Sequence, residues 1–141
     1  MKVHIDHVHV YVKDQREAAK WYSTVLGLEV EADLEHWAAD GGPLMVSGDG
    51  GHSGIALFAR PNEKSSNQST VAFGMAGDDF ARFVSSLADM DLVDRNGQVL
   101  SKDSVVDHDS SWSVYFPDPY GNPVEVTTYD YDSVKESLGI E

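Results

Sequence analysis

Hydrophobic and polar residues alternate at the beginning of the chain and again near its end. Residues 7–12 read HVHVYV, and residues 123–128 read PVEVTT. Successive side chains of a strand point to opposite faces, so both segments predict strands with valines on one face and polar side chains on the other. The polar face would hold His7, His9 and Tyr11 in the first strand and Glu125 and Thr127 in the second.

Each half of the chain also contains a segment with helical periodicity. Asp14, followed by Glu17, resembles a capping box built on aspartate, and Gly27 fits a C-terminal cap. A second helix is predicted to begin at about Asp79. The apolar stripes that support the two helices are Ala18, Trp21, Tyr22, Val25 and Leu26 in the first and Phe80, Phe83, Val84 and Leu87 in the second.

Shorter apolar runs complete two copies of one unit, each a strand, a helix and three strands. Further strands are predicted at Leu28–Glu35, Leu44–Ser47, Gly54–Phe58, Thr70–Met75 and about 111–116. In the last of these, Trp112, Val114 and Phe116 are expected in the core, and the alternate residues face the other way. Residues 91–110 are less regular, and a short helix with Val134 and Leu138 is predicted in the tail.

The sequence therefore predicts an α+β fold of two βαβββ modules, with a curved mixed sheet forming a cup and helices on its outer face. The predicted boundaries are 1–60 for the first module, 61–69 for a polar linker, 70–128 for the second module and 129–141 for a C-terminal tail. A curved sheet with helices on one side must cover or use its other face. We therefore expect a homodimer.

Composition narrows the possible functions. The chain has 141 residues, no cysteine and a net charge of −14, from 24 acidic and 10 basic residues. Such a charge repels phosphate backbones, so a nucleic-acid partner is not expected. Apolar runs fall short of the roughly 20 residues of a membrane span, and neither a signal peptide nor disulfides are expected, which favours a cytoplasmic location.

Glu125 is the most informative position. It lies between Val124 and Val126, directly after the turn at residues 117–122, PDPYGN. A carboxylate in a valine strand is costly unless water, a partner or a metal satisfies it. The first strand offers His7 and His9 on the corresponding polar face, so the residues predict a ligand site lined by both strands.

Three stretches resemble the vicinal oxygen chelate superfamily of glyoxalases, bleomycin-resistance proteins and extradiol dioxygenases. They are residues 7–28, beginning HVHVYVKD, the linker with the repeat that starts at Thr70, and residues 115–125, YFPDPYGNPVE. Together they span nearly the whole chain, and their combination is typical of the superfamily as a whole.

The resemblance implies a divalent metal in the cup, such as zinc, manganese, iron or nickel. It implies His7 and Glu125 as metal ligands. The shared polar face makes His9, Tyr11, Thr70 and Thr127 candidate substrate contacts, and an unpaired, buried Glu125 could act as a catalytic general base. Thr70 occupies the place where the family usually has a further histidine ligand, and a hydroxyl is a poorer ligand for such metals than imidazole. His9, His52 or His108 could complete the site, although the sequence does not place the last two.

The leading hypothesis is an enzyme of the glyoxalase or dioxygenase type acting on a small oxygenated molecule. The alternative is a metal-free protein that sequesters a ligand, as bleomycin-resistance proteins do, and the acidity of the chain would favour a cationic ligand in that case.

Overall fold

The structure is a computed structural model that describes residues 1–63 and 68–140. The chain divides into two compact units, Met1–Gln68 and Ser69–Glu141, and each is described by itself. Residues 64–67 of the predicted linker and residue 141 of the predicted tail lie outside the described residues.

The first unit is a four-stranded mixed sheet with its longest helix after the first strand. Its elements are β1 (His7–Val12), α1 (Gln15–Leu26), β2 (Glu29–Val30), α2 (His36–Ala39), β3 (Leu44–Ser47) and β4 (Gly54–Ala59). The strand order is β1-β4-β3-β2. β1 runs parallel to β4, and the other pairs are antiparallel.

The second unit repeats this topology. Its elements are β5 (Val71–Gly74), α3 (Gly77–Met90), β6 (Val106–Asp107), β7 (Trp112–Pro117), β8 (Pro123–Thr128) and α4 (Tyr131–Leu138). The order β5-β8-β7-β6 again pairs the first and last strands in parallel. The prediction of an α+β fold with two βαβββ modules is confirmed. Among the described residues, no helix combines the length and apolar character that crossing a membrane requires.

The caps of α1 formed as its sequence indicated. The Asp14 side chain accepts a hydrogen bond from the backbone N–H of Glu17 at 2.9 Å. Gly27 ends the helix in the left-handed conformation, with φ of 70°, and its N–H donates to the Ser23 carbonyl. These bonds satisfy backbone groups that a helix end would otherwise leave unpaired, so α1 begins and ends at defined residues.

One face of each sheet is buried in an apolar core. In the first unit the buried side chains include Val10, Val12, Ala18, Tyr22, Leu44, Val46, Ile55 and Leu57. In the second they include Phe80, Val84, Leu87, Trp112, Val114, Phe116, Val124, Val126, Val134 and Leu138. The expected core set of β7 is therefore confirmed, and the tail helix packs through the two residues that predicted it.

Two predicted elements differ from the structure. The strand predicted at Leu28–Glu35 is wrong beyond Val30, because a 3₁₀ turn follows at Ala32–Leu34 and then the short helix α2. Only Glu29 and Val30 pair with β3 at the edge of the sheet, so the weak alternation further along has no ladder to extend. The second helix begins at Gly77, two residues before the predicted start.

The turn between β7 and β8 fixes the register of the second unit's last hairpin. Asp118 is buried, and its Oδ1 accepts hydrogen bonds from the backbone N–H groups of Tyr120 and Asn122 at 2.8 and 2.9 Å. Its Oδ2 accepts from the Asn122 side chain at 2.8 Å. Gly121 takes φ of 86°, which glycine adopts without steric cost. The resulting register places Tyr115 opposite Glu125.

Candidate functional site

The first unit presents a polar sheet face, here called the imidazole face, that bears His7, His9 and Tyr11. The burial pattern of β1 alternates as its sequence predicts: both histidines are exposed, Val8 between them is half-buried, and Val10 and Val12 are buried in the core. In the parallel ladder the three residues lie beside Gly54, Ala56 and Phe58 of β4. The small side chains at the first two of these positions leave the imidazoles as the dominant polar groups there.

His7 and His9 form a hydrogen-bonded pair. The two Nε2 atoms lie 3.2 Å apart, and the ring planes are nearly parallel, with 12° between them and 5.1 Å between their centroids. On its other side, His7 Nδ1 lies 2.7 Å from Asp6 Oδ2. An ionised carboxylate can only accept, so this contact assigns the proton to His7 Nδ1 and leaves a lone pair on His7 Nε2.

Aromatic and cationic groups complete the imidazole face. Phe58 packs on the His9 ring at 4.7 Å between centroids and on Tyr11 at 6.3 Å. The Arg60 guanidinium lies over both Phe58 and Tyr11, at 5.0 and 5.8 Å from their ring centroids. Sequence reasoning missed Arg60. The available signal was its spacing, because it lies two residues after Phe58 and would share that face if the strand continued. It brings positive charge to a face that otherwise holds neutral or acidic groups.

The second unit presents the carboxylate face, defined by Ser113, Tyr115, Glu125 and Thr127. Glu125 is half-buried, and its Oε1 accepts a hydrogen bond from the Ser113 hydroxyl at 2.7 Å. The Ser113 hydroxyl also lies 3.0 Å from that of Thr127, which donates to the Trp112 carbonyl at 3.0 Å. Glu125 therefore has one carboxylate oxygen held by the sheet itself, which fixes the orientation of the group.

Tyr115 and His108 extend the carboxylate face. Tyr115 is the ladder partner of Glu125, and its hydroxyl lies 3.0 Å from His108 Nε2. Although Tyr115 as a whole is exposed, desolvation of its hydroxyl raises its pKa, and the negative charge of Glu125 raises it further. The phenol is therefore protonated at neutral pH and can donate a hydrogen bond. The sequence left His108 unplaced, because residues 91–110 lack a regular pattern.

The predicted substrate contacts in the second unit have different surroundings. Thr70 is exposed and lies just before β5, while Thr127 is buried with its hydroxyl engaged in the sheet. In residues 1–63 and 68–140, no cluster of three or more histidine, cysteine, aspartate or glutamate side chains is arranged to hold a metal ion. Two donor groups stand out instead, the Asp6–His7–His9 set and the Ser113-held Glu125.

A separate surface cavity of about 440 Å³ lies at the opposite edge of the first sheet. It is lined by β2 and the loop after β3, including Glu29, Glu31 and Asp33. None of the site residues predicted from sequence lines it. The glycine-rich loop beside it is closed by Asp49, whose carboxylate accepts hydrogen bonds from Ser47 and Ser53. His52 lies in this loop, two residues before Gly54, the ladder partner of His7.

Solved structures share this fold over nearly the full chain. Oxidase ChaP-H2 is similar with a TM-score of 0.70 and 23% identity, covering 95% of this chain and 99% of its own. A glyoxalase/dioxygenase from Nostoc punctiforme has a TM-score of 0.65 and 23% identity, with 89% and 90% covered. A putative glyoxalase family protein from Bacillus anthracis has a TM-score of 0.68 and 21% identity, with 92% and 98% covered.

The comparison with curated proteins gave no match. The sequence profile of the Glyoxalase/Bleomycin resistance protein/Dioxygenase superfamily, however, matches residues 4–126. This range includes both helix caps, the imidazole face and all of the carboxylate face except Thr127. The chain belongs to the Glyoxalase/Bleomycin resistance protein/Dioxygenase superfamily.

Proposed function

We propose that the protein is a metal-dependent enzyme of the glyoxalase or dioxygenase type that acts on a small oxygenated molecule. In this proposal His7 and Glu125 are ligands of one divalent metal such as zinc, manganese, iron or nickel. Superfamily membership supports the class of activity. The observation that supports the ligands is that each unit orients one strong donor group with a hydrogen-bonding partner of its own: Asp6 for His7 and Ser113 for Glu125.

The donor groups suit such a metal. Asp6 holds the Nδ1–H tautomer of His7, which leaves Nε2 as a ligand, and ligating histidines usually have such a second partner. Ser113 occupies Oε1 of Glu125, which leaves Oε2 to coordinate a cation. Imidazole nitrogen and carboxylate oxygen are ordinary ligands of zinc, manganese, iron and nickel.

The reaction would use the surrounding side chains as well. A divalent metal at this site would polarise substrate oxygens and stabilise negative charge that develops on them. Glu125, oriented by Ser113, is the proposed catalytic base, because it can accept a proton from a substrate carbon or hydroxyl. Tyr115 stays protonated and can donate a hydrogen bond to a substrate oxygen. His9, Tyr11 and Thr70 remain proposed substrate contacts. Thr127 is also one of these, although its hydroxyl is engaged in the sheet.

Arg60 indicates the charge of the expected substrate. Its guanidinium lies over Tyr11 and Phe58, so it can bind a carboxylate or another anionic oxygen next to the imidazole face. We therefore propose that the small oxygenated substrate carries a negative charge or develops one during the reaction. The net charge of −14 would oppose such a substrate at long range, so a local cation is needed.

The test is the metal content and metal affinity of untagged protein. We expect near-stoichiometric metal in the wild type and little in the double variant His7→Ala/Glu125→Ala. The matched control is His36→Ala/Glu136→Ala, which changes one exposed histidine and one exposed glutamate elsewhere. If wild type and double variant are equally empty after metal is added back, the proposal is wrong. A ligand screen for metal-free sequestration would then follow.

Homodimerisation is part of the proposal. The imidazole face exposes both of its histidines, and a second copy could cover them. Light scattering coupled to size exclusion measures the mass directly. A mass near 15.5 kDa at micromolar concentration would contradict a homodimer.

A further inference from the structure

The first strand holds a second imidazole close to the proposed ligand His7, and it belongs to the same unit. His9 lies two residues further along β1, so it projects from the same face of the sheet. Its Nε2 lies 3.2 Å from that of His7, closer than the 5.1 Å between the ring centroids. The two rings therefore turn their Nε2 edges toward each other.

This separation suits two ligands of one metal. Metal–nitrogen bonds of about 2.0–2.1 Å, at angles between octahedral and tetrahedral, place two nitrogens about 2.8–3.4 Å apart. The observed 3.2 Å lies inside that range. Without metal, the pair is joined by one proton: His7 Nδ1 donates to Asp6, so His9 Nε2 donates to the lone pair of His7. With metal, His9 must carry its proton on Nδ1 instead.

Neighbouring groups restrict the orientation of both rings. Asp6 fixes His7 through a 2.7 Å hydrogen bond, and Phe58 packs on the ring of His9 at 4.7 Å between centroids. Restricted rings lose less conformational freedom when they bind a metal, which favours binding. The corresponding strand of the second unit has no such pair, since Thr70 and Ala72 occupy the polar positions of residues 70–73.

We infer that His9 is a metal ligand and supplies the imidazole that is missing at Thr70. The inference rests on the proposed function, which already assigns His7 and Glu125 to the metal. With His9, the first unit offers two imidazole nitrogens 3.2 Å apart on one strand, and imidazole is an ordinary ligand of zinc and iron.

The test compares the metal affinities of single variants. Each variant is titrated with zinc or iron(II) alone, and isothermal calorimetry measures the dissociation constant. We expect His9→Ala to weaken binding at least about 10-fold, and Asp6→Asn to weaken it about 10- to 100-fold through loss of the partner of His7. His4→Ala is the matched control, because it is an exposed histidine three residues before His7 and outside the strand. Its affinity should equal that of the wild type. Melting curves confirm that each variant is folded.

Zinc K-edge absorption spectroscopy provides a second measurement, because it counts the imidazoles bound to the metal. We expect two in the wild type and one in His9→Ala. If the wild type binds metal but His9→Ala keeps its affinity and two imidazoles, the inference is wrong and the proposed function survives. If the wild type binds no metal at all, the proposed function fails first.

Discussion

The two units share one fold and differ in which donors they place on it. Residues 7–10 of β1 read HVHV and match residues 70–73, TVAF, since the second and fourth residues of both stretches pair with buried apolar residues of the last strand. Where the first unit has two imidazoles, the second has a hydroxyl and a methyl group.

The last strands show the reverse difference. The ladder pairs His9 with Ala56 in the first unit and Ala72 with Glu125 in the second, so Ala56 occupies the place of Glu125. At these matching strand positions the first unit therefore holds the nitrogen donors and the second the carboxylate. The core side of the fold repeats because packing requires it, and exposed positions of the polar side, such as those of His7, His9 and Thr70, are free to diverge because little packs against them. In the proposed function the polar faces carry the chemistry, which the repeat alone does not predict.

The largest expected effect comes from forcing the first unit to resemble the second. Ala56 is fully buried in β4, between β1 and β3. The variant Ala56→Glu would bury a carboxylate without a counterpart of Ser113, so we expect unfolding free energy to fall by about 3–5 kcal/mol. Urea denaturation measures the unfolding free energy of the variant and of the wild type. Ala59→Glu, at the exposed end of the same strand, should cost below about 0.5 kcal/mol. Equal losses in both variants would show that burial at position 56 is unimportant.

The second prediction concerns the turn that positions Glu125. Asp118→Ala removes the acceptor of two backbone N–H groups in a buried turn, and unpaired buried donors are costly. We expect a loss of about 2–4 kcal/mol in unfolding free energy. Asp94 also accepts from two backbone N–H groups, at 2.8 and 3.0 Å, in a less buried loop. Water can replace its oxygens there, so Asp94→Ala should cost about 1 kcal/mol or less. If Asp94→Ala lost more unfolding free energy than Asp118→Ala, burial of the turn would not explain the cost.

Much of the fold could be predicted from local signals. The alternation of residues 7–12 gave the correct faces, and Asp14 and Gly27 gave the correct caps, because these features depend on neighbours in sequence. The strand predicted at Leu28–Glu35 failed because a two-residue edge pairing leaves almost no periodic trace. Edge strands obtain their conformation from a neighbouring strand, which pattern alone does not reveal.

The candidate site was only partly predictable for a similar reason. His7, His9 and Glu125 stood out as polar residues among valines. His108 reaches Tyr115 from a stretch whose path depends on tertiary contacts, so no local signal could place it. The contact between Ser113 and Glu125 was accessible in principle, because the tight turn between β7 and β8 fixes which residues face each other.

The third prediction gives residue 70 of the second unit the imidazole that His7 provides at the matching position of the first. Thr70 is exposed, so Thr70→His should fold normally and add a ligand on the face that holds Glu125. We expect zinc affinity to rise about 10-fold, which is about 1.4 kcal/mol. The same substitution should also recover part of the affinity lost in His9→Ala. Arg95→His adds an exposed imidazole in the turn after Asp94, outside β5 and β8, and should leave affinity unchanged. Equal gains from both variants would indicate nonspecific binding.

The smallest effect concerns the loop of the first unit that corresponds to the Asp118 turn. Asp49 is exposed here, and the backbone N–H of Ser53, followed by the hydroxyls of Ser53 and Ser47, lowers the pKa of its carboxyl group. A group whose pKa falls on folding adds stability above its unfolded value, here 3.8, and loses it as pH drops toward the folded value. Both units therefore close their last hairpin with an aspartate, but only Asp118 is shielded from solvent.

We expect Asp49→Asn to flatten the pH dependence of unfolding free energy. Between about pH 5 and pH 2.5 the wild type should lose more stability than the variant, because only the wild type must protonate a hydrogen-bonded carboxylate in that window. Urea unfolding at a series of pH values measures the difference, and Asp40→Asn, an exposed aspartate in the turn before β3, is the control. Parallel curves for wild type and Asp49→Asn would mean that the loop's hydrogen bonds do not favour the ionised carboxylate. The difference in stability contributed by exposed Asp49 and buried Asp118 would then follow from burial and not from hydrogen bonds to the ionised carboxylate.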